Sequence, residues 1–334
     1  MKNKTITIFI ENQSHLRFVT KLIEILSKEN KILVISLDTL VNLFSNKNIT
    51  SKVVKDSKEL ISILLNLKCD LFFTTTPGLN NSTFPKSKVF PKFNRPKYIY
   101  LFHSLVSPNE MYANNSFYYF DYIISPSEIV SNQLIYLVSK KTKILTFGYL
   151  LFDNEKAFSY KNFFEEVLIA PSWGEQGLSK NLLLIEKIAE CFNDQKLKAV
   201  FRPHPMNIDE FEHRKIDIIN CRLDLNRELN NLQDYKFLIT DCSGIALEFY
   251  FLTKRPVLFV NLPKKRKRKL SFSEKKLILI EDKMKKIIGN IVEPNELNLN
   301  TIIPYIDNKE NAMAFINEVC INDDVLHKIL NYKY

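Results

Sequence analysis

Cysteine is scarce in this sequence, and the few cysteines follow no pattern that would join them. The chain has 334 residues and five scattered cysteines, with no C-x-x-C spacing. An odd, scattered set predicts neither a disulfide framework nor a zinc site, so we expect reduced thiols. Long hydrophobic runs are also missing and the mean hydropathy is -0.12, which argues against a transmembrane helix.

A recognisable signal peptide is missing as well. The first stretch, MKNKTITIFIENQSH, has only a short apolar core and no small-residue cleavage site. It therefore predicts a first β-strand rather than a secretory leader. We expect a cytoplasmic location for the chain.

Positive charge is in excess. Lys and Arg number 47 against 37 Asp and Glu, a net charge of +10, and part of the excess lies in Lys264 to Lys269 (KKRKRK). Such a run is typical of a solvated loop, of a contact with an anionic membrane or glycan, or of nucleic-acid binding. No interleaving of basic and aromatic residues supports nucleic acid. We therefore expect no nucleic-acid partner and a peripheral contact with the inner face of the membrane as one alternative.

Short apolar runs alternate with amphipathic helical patterns twice along the chain. This rhythm predicts an α/β protein of two Rossmann-like, doubly wound domains with the active site in the cleft between them. The predicted strands are residues 5–10, 31–38, 70–77, 97–104, 121–127, 144–148, 167–173, 196–205, 235–244 and 255–261. The predicted units are an acceptor-side domain at 1–155, a nucleotide-donor domain at 156–310 and a helical tail at 311–334 that packs back on the first domain.

An R-P-H-P corner ends one strand of the second half. Pro203 and Pro205 restrict the backbone on both sides of His204, so the imidazole is held in a narrow set of orientations. Arg202 supplies a planar fork that suits phosphate oxygens. The motif indicates a clamp for a pyrophosphate, and the alternative is a structural corner.

A T-D-C-S-G turn, Thr240 to Gly244, joins the strand KFLI to the helix IALEFYFL. The free N–H groups at such a turn bind anions, so Ser243 and Gly244 are expected to face a phosphate. Glu248 lies one helical turn further on, where it would accept ribose hydroxyls. The alternative is that Asp241 or Ser243 only caps the helix.

Two further segments carry candidate site residues. His103 ends the apolar strand YLFHS, where a neutral imidazole would act as the general base on an acceptor hydroxyl. The alternative is a structural histidine whose ring nitrogens form hydrogen bonds within the core. APSWGEQG places Ser172 and Trp173 in a turn that would lie under a base or phosphate, although a plain turn explains it equally well.

The order A-P-S-W, R-P-H-P and T-D-x-S-x-x-x-x-E-F followed by K-R-P-V-L-F resembles the CDP-glycerol glycerophosphotransferase family, which builds or primes glycerol-phosphate polymers on bacterial surfaces. The likeness covers roughly residues 165–262. It implies a GT-B architecture with the nucleotide donor in the second domain. By resemblance the donor site is formed by Ser172, Arg202, His204, Thr240, Asp241, Ser243 and Glu248.

The departures from that family bear on the donor. Phe102-His103-Ser104 stands where the family has Trp-His-Gly, Cys242-Ser243-Gly244 replaces Tyr-Ser-Ser, and Gly174 follows Trp173 where Arg is common. Because glycine in place of a pocket hydroxyl makes room for a larger group, a nucleotide sugar is an alternative donor.

The expected function is a transferase of teichoic-acid or capsule synthesis. It would move glycerol phosphate or a related polyol phosphate from a CDP-activated donor to a hydroxyl of a surface glycan or lipid-linked primer, with His103 and His204 catalytic. The alternatives are a GT-B glycosyltransferase that uses a CMP- or UDP-linked sugar, and a basic adaptor without activity. No D-x-D pair stands near these residues, so we expect no cofactor and no protein-bound catalytic metal. The expected cytidine-linked donor is a substrate.

Overall fold

The computed structural model describes residues 2–11, 13–37, 44, 46–78, 95–151, 165–175, 177–193, 196–214, 216–225, 231–263, 269–319 and 325–334. In these ranges the chain forms two parallel sheets that are flanked by helices. No helix of the described ranges is both long and apolar enough to cross a membrane.

The first sheet has seven strands in the order β3-β2-β1-β4-β5-β6-β7, and all neighbours are parallel. Its strands are β1 Thr5–Ile10, β2 Lys31–Ser36, β3 Ile49–Val53, β4 Leu71–Thr74, β5 Lys97–Leu101, β6 Tyr122–Ser125 and β7 Lys143–Thr146. Its helices are α1 Leu16–Leu26, α2 Ser57–Leu65, α3 Pro108–Met111 and α4 Glu128–Leu134, with a 3₁₀ turn at Gln13–His15.

The second sheet has six strands in the order β10-β9-β8-β11-β12-β13, again all parallel. Its strands are β8 Glu166–Ile169, β9 Lys198–Phe201, β10 Cys221–Leu223, β11 Tyr235–Thr240, β12 Val257–Val260 and β13 Gly289–Val292. The helices after β8 are α5 Leu182–Glu190, α6 Ile208–Arg214, α7 Ile245–Thr253, α8 Ile280–Ile287, α9 Lys309–Val319 and α10 Val325–Asn331. Single 3₁₀ turns lie at Leu178–Lys180, Pro205–Asn207, Leu232–Asp234 and Glu274–Lys276.

Hydrophobic patterning explains these elements. The central strands β4 (LFFT) and β12 (VLFV) are buried throughout, as expected where helices cover both faces of a parallel sheet. Helix α1 buries one apolar stripe and leaves the opposite face polar. Helix α7 differs, because every residue from Ala246 to Thr253 is buried. A helix that is buried all round lies inside the molecule, and α7 packs towards the first half of the chain.

Both sheets change winding direction at an inner pair of strands. In the first sheet, successive strands are added in opposite directions on the two sides of the β1/β4 pair. In the second sheet, the same holds for the β8/β11 pair. Ligands of open α/β sheets bind at the carboxyl ends of such pairs. The strand order confirms the predicted doubly wound α/β fold.

Contacts join the two halves at several points. Leu105, after β5, lies against Gly244 at the start of α7, and Ser107 donates its N–H to Glu281 of α8 at 2.7 Å. At the C-terminus, the Tyr334 ring meets Tyr122 of β6 edge to face, with centroids 5.1 Å apart. The predicted domain boundary at residue 155 lies outside the described residues, so it stays a prediction.

Candidate functional site

A pair of stacked histidines lies at the carboxyl edge of the first sheet. His103 follows β5, and His15 ends the 3₁₀ turn that follows β1. Their ring centroids lie 4.3 Å apart with an interplanar angle of 39°. Thr75, which follows β4, places its Oγ1 3.0 Å from Nδ1 of His15. Three neighbouring strands therefore each contribute one residue to this cluster.

Burial keeps both imidazoles neutral at neutral pH. Burial, followed by the charge of Arg17, lowers the pKa of His15 to about 4. Burial also lowers the pKa of His103 well below its usual value, and the charges of His15 and Arg17 add to that effect. A neutral imidazole has an unprotonated ring nitrogen that can accept a proton, so His103 is in the form that a general base requires, and its lowered pKa makes it a weaker base than a free imidazole.

His204 lies in the corner after β9, at the corresponding edge of the second sheet. Its Nδ1 accepts a hydrogen bond of 3.2 Å from the backbone N–H of Met206. The neutral ring therefore carries its proton on Nε2. After burial, His15 and Arg17, the charge of His204 is a further cause of the lowered pKa of His103. Each of the two histidines follows the carboxyl end of a strand, one in each sheet.

Arg202 points into the protein, and its predicted role in a phosphate clamp stays a prediction. The residue is 5% exposed. Its Nε donates to Asp224 at 3.0 Å, and a terminal nitrogen donates to Oδ1 of Asn231 at 2.7 Å. The guanidinium also lies 5.7 Å from the ring centroid of Tyr235. Arg202 is therefore paired in the interior, while His204, two residues further on, is partly exposed.

Asp241 joins the loops at the switch point through four hydrogen bonds. Its carboxylate accepts hydrogen bonds from the backbone N–H and the hydroxyl of Ser172 at 2.8 and 3.0 Å. The backbone N–H groups of Leu178 and Cys242 donate to it at 3.1 and 2.7 Å. Thr240 donates its hydroxyl to the carbonyl of Ala170 at 2.7 Å. These buried polar groups bind each other, and their predicted contact with a donor stays a prediction.

Ser243 and Gly244 lie at the N-terminus of α7. Gly244 is the N-cap, and no side chain makes a capping hydrogen bond there. Backbone N–H groups of a first helical turn carry partial positive charge. A Cβ at Gly244 would lie 3.3 Å from the carbonyl oxygen of Leu105, which places this turn beside the segment that carries His103. Phosphate binding at this turn stays a prediction.

Glu248 bridges the two halves, and its predicted contact with a ribose stays a prediction. The residue is 4% exposed. Oε1 accepts a 2.7 Å hydrogen bond from the hydroxyl of Tyr149, and Oε2 lies 3.5 Å from a terminal nitrogen of Arg17. The Tyr149 hydroxyl also lies 3.0 Å from the carbonyl oxygen of His103. Glu248 therefore supports the backbone of the histidine cluster from the second half of the chain.

Trp173 remains a candidate on position alone. It is partly buried and follows Ser172 after β8. Gly174 comes next, and its φ of 120° is a backbone conformation that residues other than glycine rarely adopt. The turn therefore needs glycine, and the predicted contact of Trp173 with a base or phosphate stays a prediction.

Sequence reasoning missed four residues of this site. His15, Arg17, Thr75 and Tyr149 all surround His103 or its supports. One signal was available for two of them, because His15 and Thr75 are polar residues that follow the buried strands β1 and β4. No sequence pattern marked Arg17 and Tyr149 as site residues, because their partner Glu248 lies far away in the sequence.

Two doubly wound parallel sheets whose switch-point loops meet at a cleft define the GT-B fold, and this chain has that fold. Proteins of this class place their chemistry between the two halves, where His103 and His204 lie in this structure.

Solved structures of low sequence identity share the fold. The wall teichoic acid polymerase TagF, soaked with CDPG, is 13% identical with a TM-score of 0.57, and the match covers 98% of this chain and 90% of that chain. A putative UDP-N-acetylglucosamine 2-epimerase from Listeria monocytogenes is 12% identical with a TM-score of 0.60, covering 98% and 95%. The S. aureus MnaA–UDP structure is 14% identical with a TM-score of 0.60, again covering 98% and 95%. No protein-family model matches the chain, and no curated protein matches it.

Proposed function

We propose that this chain is a transferase that uses a nucleotide-activated donor in the cleft between its two halves. The preferred donor is CDP-glycerol or a related CDP-polyol, and the acceptor is a hydroxyl of a surface glycan or lipid-linked primer. The proposal rests on the R-P-H-P and T-D-C-S-G motifs, and on the fold shared with TagF.

One observation carries the proposal: His103, whose surroundings keep its ring neutral, and His204, whose Nδ1 accepts a backbone N–H, follow strand ends of the two different sheets. In phosphoryl transfer the acceptor oxygen attacks the phosphorus that bears the polyol, and its proton passes to His103. The bond from that phosphorus to the oxygen of the departing CMP breaks. The Nε2–H of His204 stabilises the charge that develops, which is typically worth about 3 kcal/mol.

Several of the predicted donor-site residues have partners within the protein. Arg202, Thr240, Asp241 and Ser172 hold the second sheet and its loops together. The remaining candidates for the phosphates are the N–H groups at Ser243 and Gly244, together with His204. Trp173 is the candidate for the nucleoside.

Donor binding is the first test, through the melting temperature of the purified chain. The screen uses CDP-glycerol, CDP-ribitol, CMP, CDP, UDP, GDP and CMP- or UDP-linked sugars. A ligand at one hundred times its Kd stabilises the folded state by about 2.7 kcal/mol, so a donor is expected to raise the melting temperature. His204→Ala is expected to weaken that shift. His213→Ala, an exposed histidine on α6, is the matched control and is expected to leave it unchanged.

The released product distinguishes the candidate reactions. CMP released from CDP-glycerol marks phosphoryl transfer, whereas CMP from a CMP-sugar or UDP from a UDP-sugar marks glycosyl transfer. Conversion of a UDP-sugar to its epimer would instead favour the activity named for the Listeria monocytogenes neighbour, which has a TM-score of 0.60. If no nucleotide changes the melting temperature, the transferase proposal is wrong.

We also propose that the segment 269–279 contacts an anionic membrane surface beside a lipid-linked acceptor. Phe272 is 76% exposed and Ile278 is 59% exposed, and Nζ of Lys276 lies 4.3 Å from the Phe272 ring centroid. The side-chain amide of Gln133 donates to the carbonyl of Ile278 at 2.7 Å, so the segment lies beside α4 of the first half. Residues 264–268 of the predicted basic contact lie outside the described residues.

A further inference from the structure

His15 and His103 share one support, Thr75. The hydroxyl of Thr75 lies 3.0 Å from Nδ1 of His15, and its main chain forms a hydrogen bond with His103. Thr75 itself is fully buried, and the next N–H, that of Thr76, donates to Oγ1 of Thr74 at 2.9 Å. The residue that links the two rings is therefore held in place by the strand end.

The His103 ring is enclosed by groups from several elements. His15 lies on one side at 4.3 Å between centroids, and the Phe18 ring of α1 meets it edge to face at 6.1 Å. From β5, the hydroxyl of Tyr100 lies 3.3 Å from Nδ1. Burial raises the pKa of Tyr100 well above its usual value, so this phenol stays protonated. Arg17 on the α1 side and His204 across the cleft are the charged or titratable groups that complete the surroundings.

We propose that His15 is a positioning residue for His103, which fixes the plane of the catalytic ring and limits the stacked pair to a single proton. This inference rests on the proposed transferase activity. Two like charges at this ring separation repel each other strongly in a buried site. When His103 takes the proton of the acceptor hydroxyl, His15 therefore stays neutral and continues to support the ring.

The first test uses the free protein and needs no substrate. The titration of His103 is followed by NMR of labelled histidine in wild type, His15→Phe and His15→Gln. His15→Phe keeps a buried ring and removes the second titrating group, and His15→Gln keeps a polar partner for Thr75. We expect the His103 midpoint to rise in both variants, by about half a pH unit or more, because in acid His103 then no longer titrates beside a protonated His15. The exposed His213→Gln is the control.

The Thr75 hydroxyl gives a rescue test. Thr75→Val removes the contact with His15 at nearly constant shape, and Thr75→Ser restores a hydroxyl. We expect Thr75→Val to broaden or shift the His15 titration and Thr75→Ser to return it towards wild type. A melting curve for each variant checks that it folds.

Kinetics then separates positioning from substrate binding. With the donor found in the binding screen, His15→Phe is expected to lower kcat roughly ten- to a hundredfold at nearly constant KM, and to move the acid limb of the pH profile upward. An unmoved His103 midpoint in both His15 variants would overturn the inference. If the midpoint moves but wild type transfers nothing from any donor, the coupling of the histidines stands and the transferase proposal fails.

Discussion

At the residue scale, burial decides what each polar side chain of the candidate site does. His103 and His204 remain beside the cleft, and the first of them is neutral because burial lowers its pKa. Arg202 lies two residues before His204 and donates hydrogen bonds to Asp224 and Asn231. A buried arginine is stable only when its charge is paired, so this guanidinium belongs to the interior.

Removing one partner of that buried pair is expected to destabilise the protein. Arg202→Met leaves Asp224 buried without its counterion, which typically costs about 3–5 kcal/mol. Urea unfolding is the measurement. The control is Arg222→Met, whose partner Glu166 lies 2.9 Å away on a more exposed surface, and we expect a loss of about 1 kcal/mol or less. A stable Arg202→Met protein that has lost only donor binding would restore the phosphate-clamp interpretation.

At the element scale, the carboxylate of Asp241 ties the turn after β11 to the loop after β8. Ser172 and Leu178 donate to it from that loop, and Cys242 donates from its own turn. The two segments at the switch point therefore behave as one unit. A Cβ at Gly177 would lie only 3.0 Å from Oδ2 of Asp241, which shows how closely the loop approaches the carboxylate.

Asp241→Asn is expected to loosen this unit. The asparagine amide has an NH₂ group in place of one of the two carboxylate oxygens. At least one buried N–H therefore loses its acceptor, which costs about 1–3 kcal/mol. Hydrogen exchange should show lower protection of the amides of Ser172 and Leu178. Asp56→Asn is the control, because Asp56 is an exposed N-cap of α2 and Asn caps a helix as well as Asp does. Equal protection in both variants would contradict the positioning role of Asp241.

At the scale of the whole molecule, the two halves meet through polar contacts and through the C-terminal tail. Tyr149 and Glu248 join them beside the histidine cluster, and Ser107 and Glu281 join them further out. Burial raises the pKa of the Glu281 carboxyl. The exposed Phe272 and Ile278 lie near this second contact, because the Ile280 N–H donates to the Ser107 hydroxyl at 3.0 Å. The proposed membrane surface therefore lies at a junction of the two halves.

Flotation with vesicles tests that surface. Wild type is expected to float with vesicles that contain an anionic lipid and to float less with neutral vesicles or at high salt, because salt screens the lysines. The double change Phe272→Ser and Ile278→Ser should reduce flotation severalfold, since two exposed apolar side chains are lost. Leu183→Ser is the control, since Leu183 is 79% exposed on α5. Flotation that depends on neither lipid charge nor these residues would contradict the proposal.

The elements that the sequence predicted are those with a strong local pattern. The buried strands β1, β4, β5, β11 and β12 read as apolar runs and α1 as an amphipathic helix, and the structure has them all. Three strands, β3, β10 and β13, were not predicted. β3 and β10 are edge strands with exposed or partly exposed residues, and a strand that buries little carries little hydrophobic pattern. β13, the opposite edge of the second sheet, begins with Gly-Asn.

The sequence by itself determined the alternation of strands and helices, the doubly wound class and the strand ends at which His103 and His204 lie, because these follow from local periodicity and from turn residues. Only the tertiary structure decided which polar residues face the cleft. Arg202 meets Asp224, Asp241 meets Ser172, and Glu248 meets Tyr149. Each partner is distant in the chain, and His15 reaches His103 only because β1, β4 and β5 are neighbours in the sheet. These pairs form through the packing of segments that are distant in the sequence, and no local sequence pattern predicts that packing.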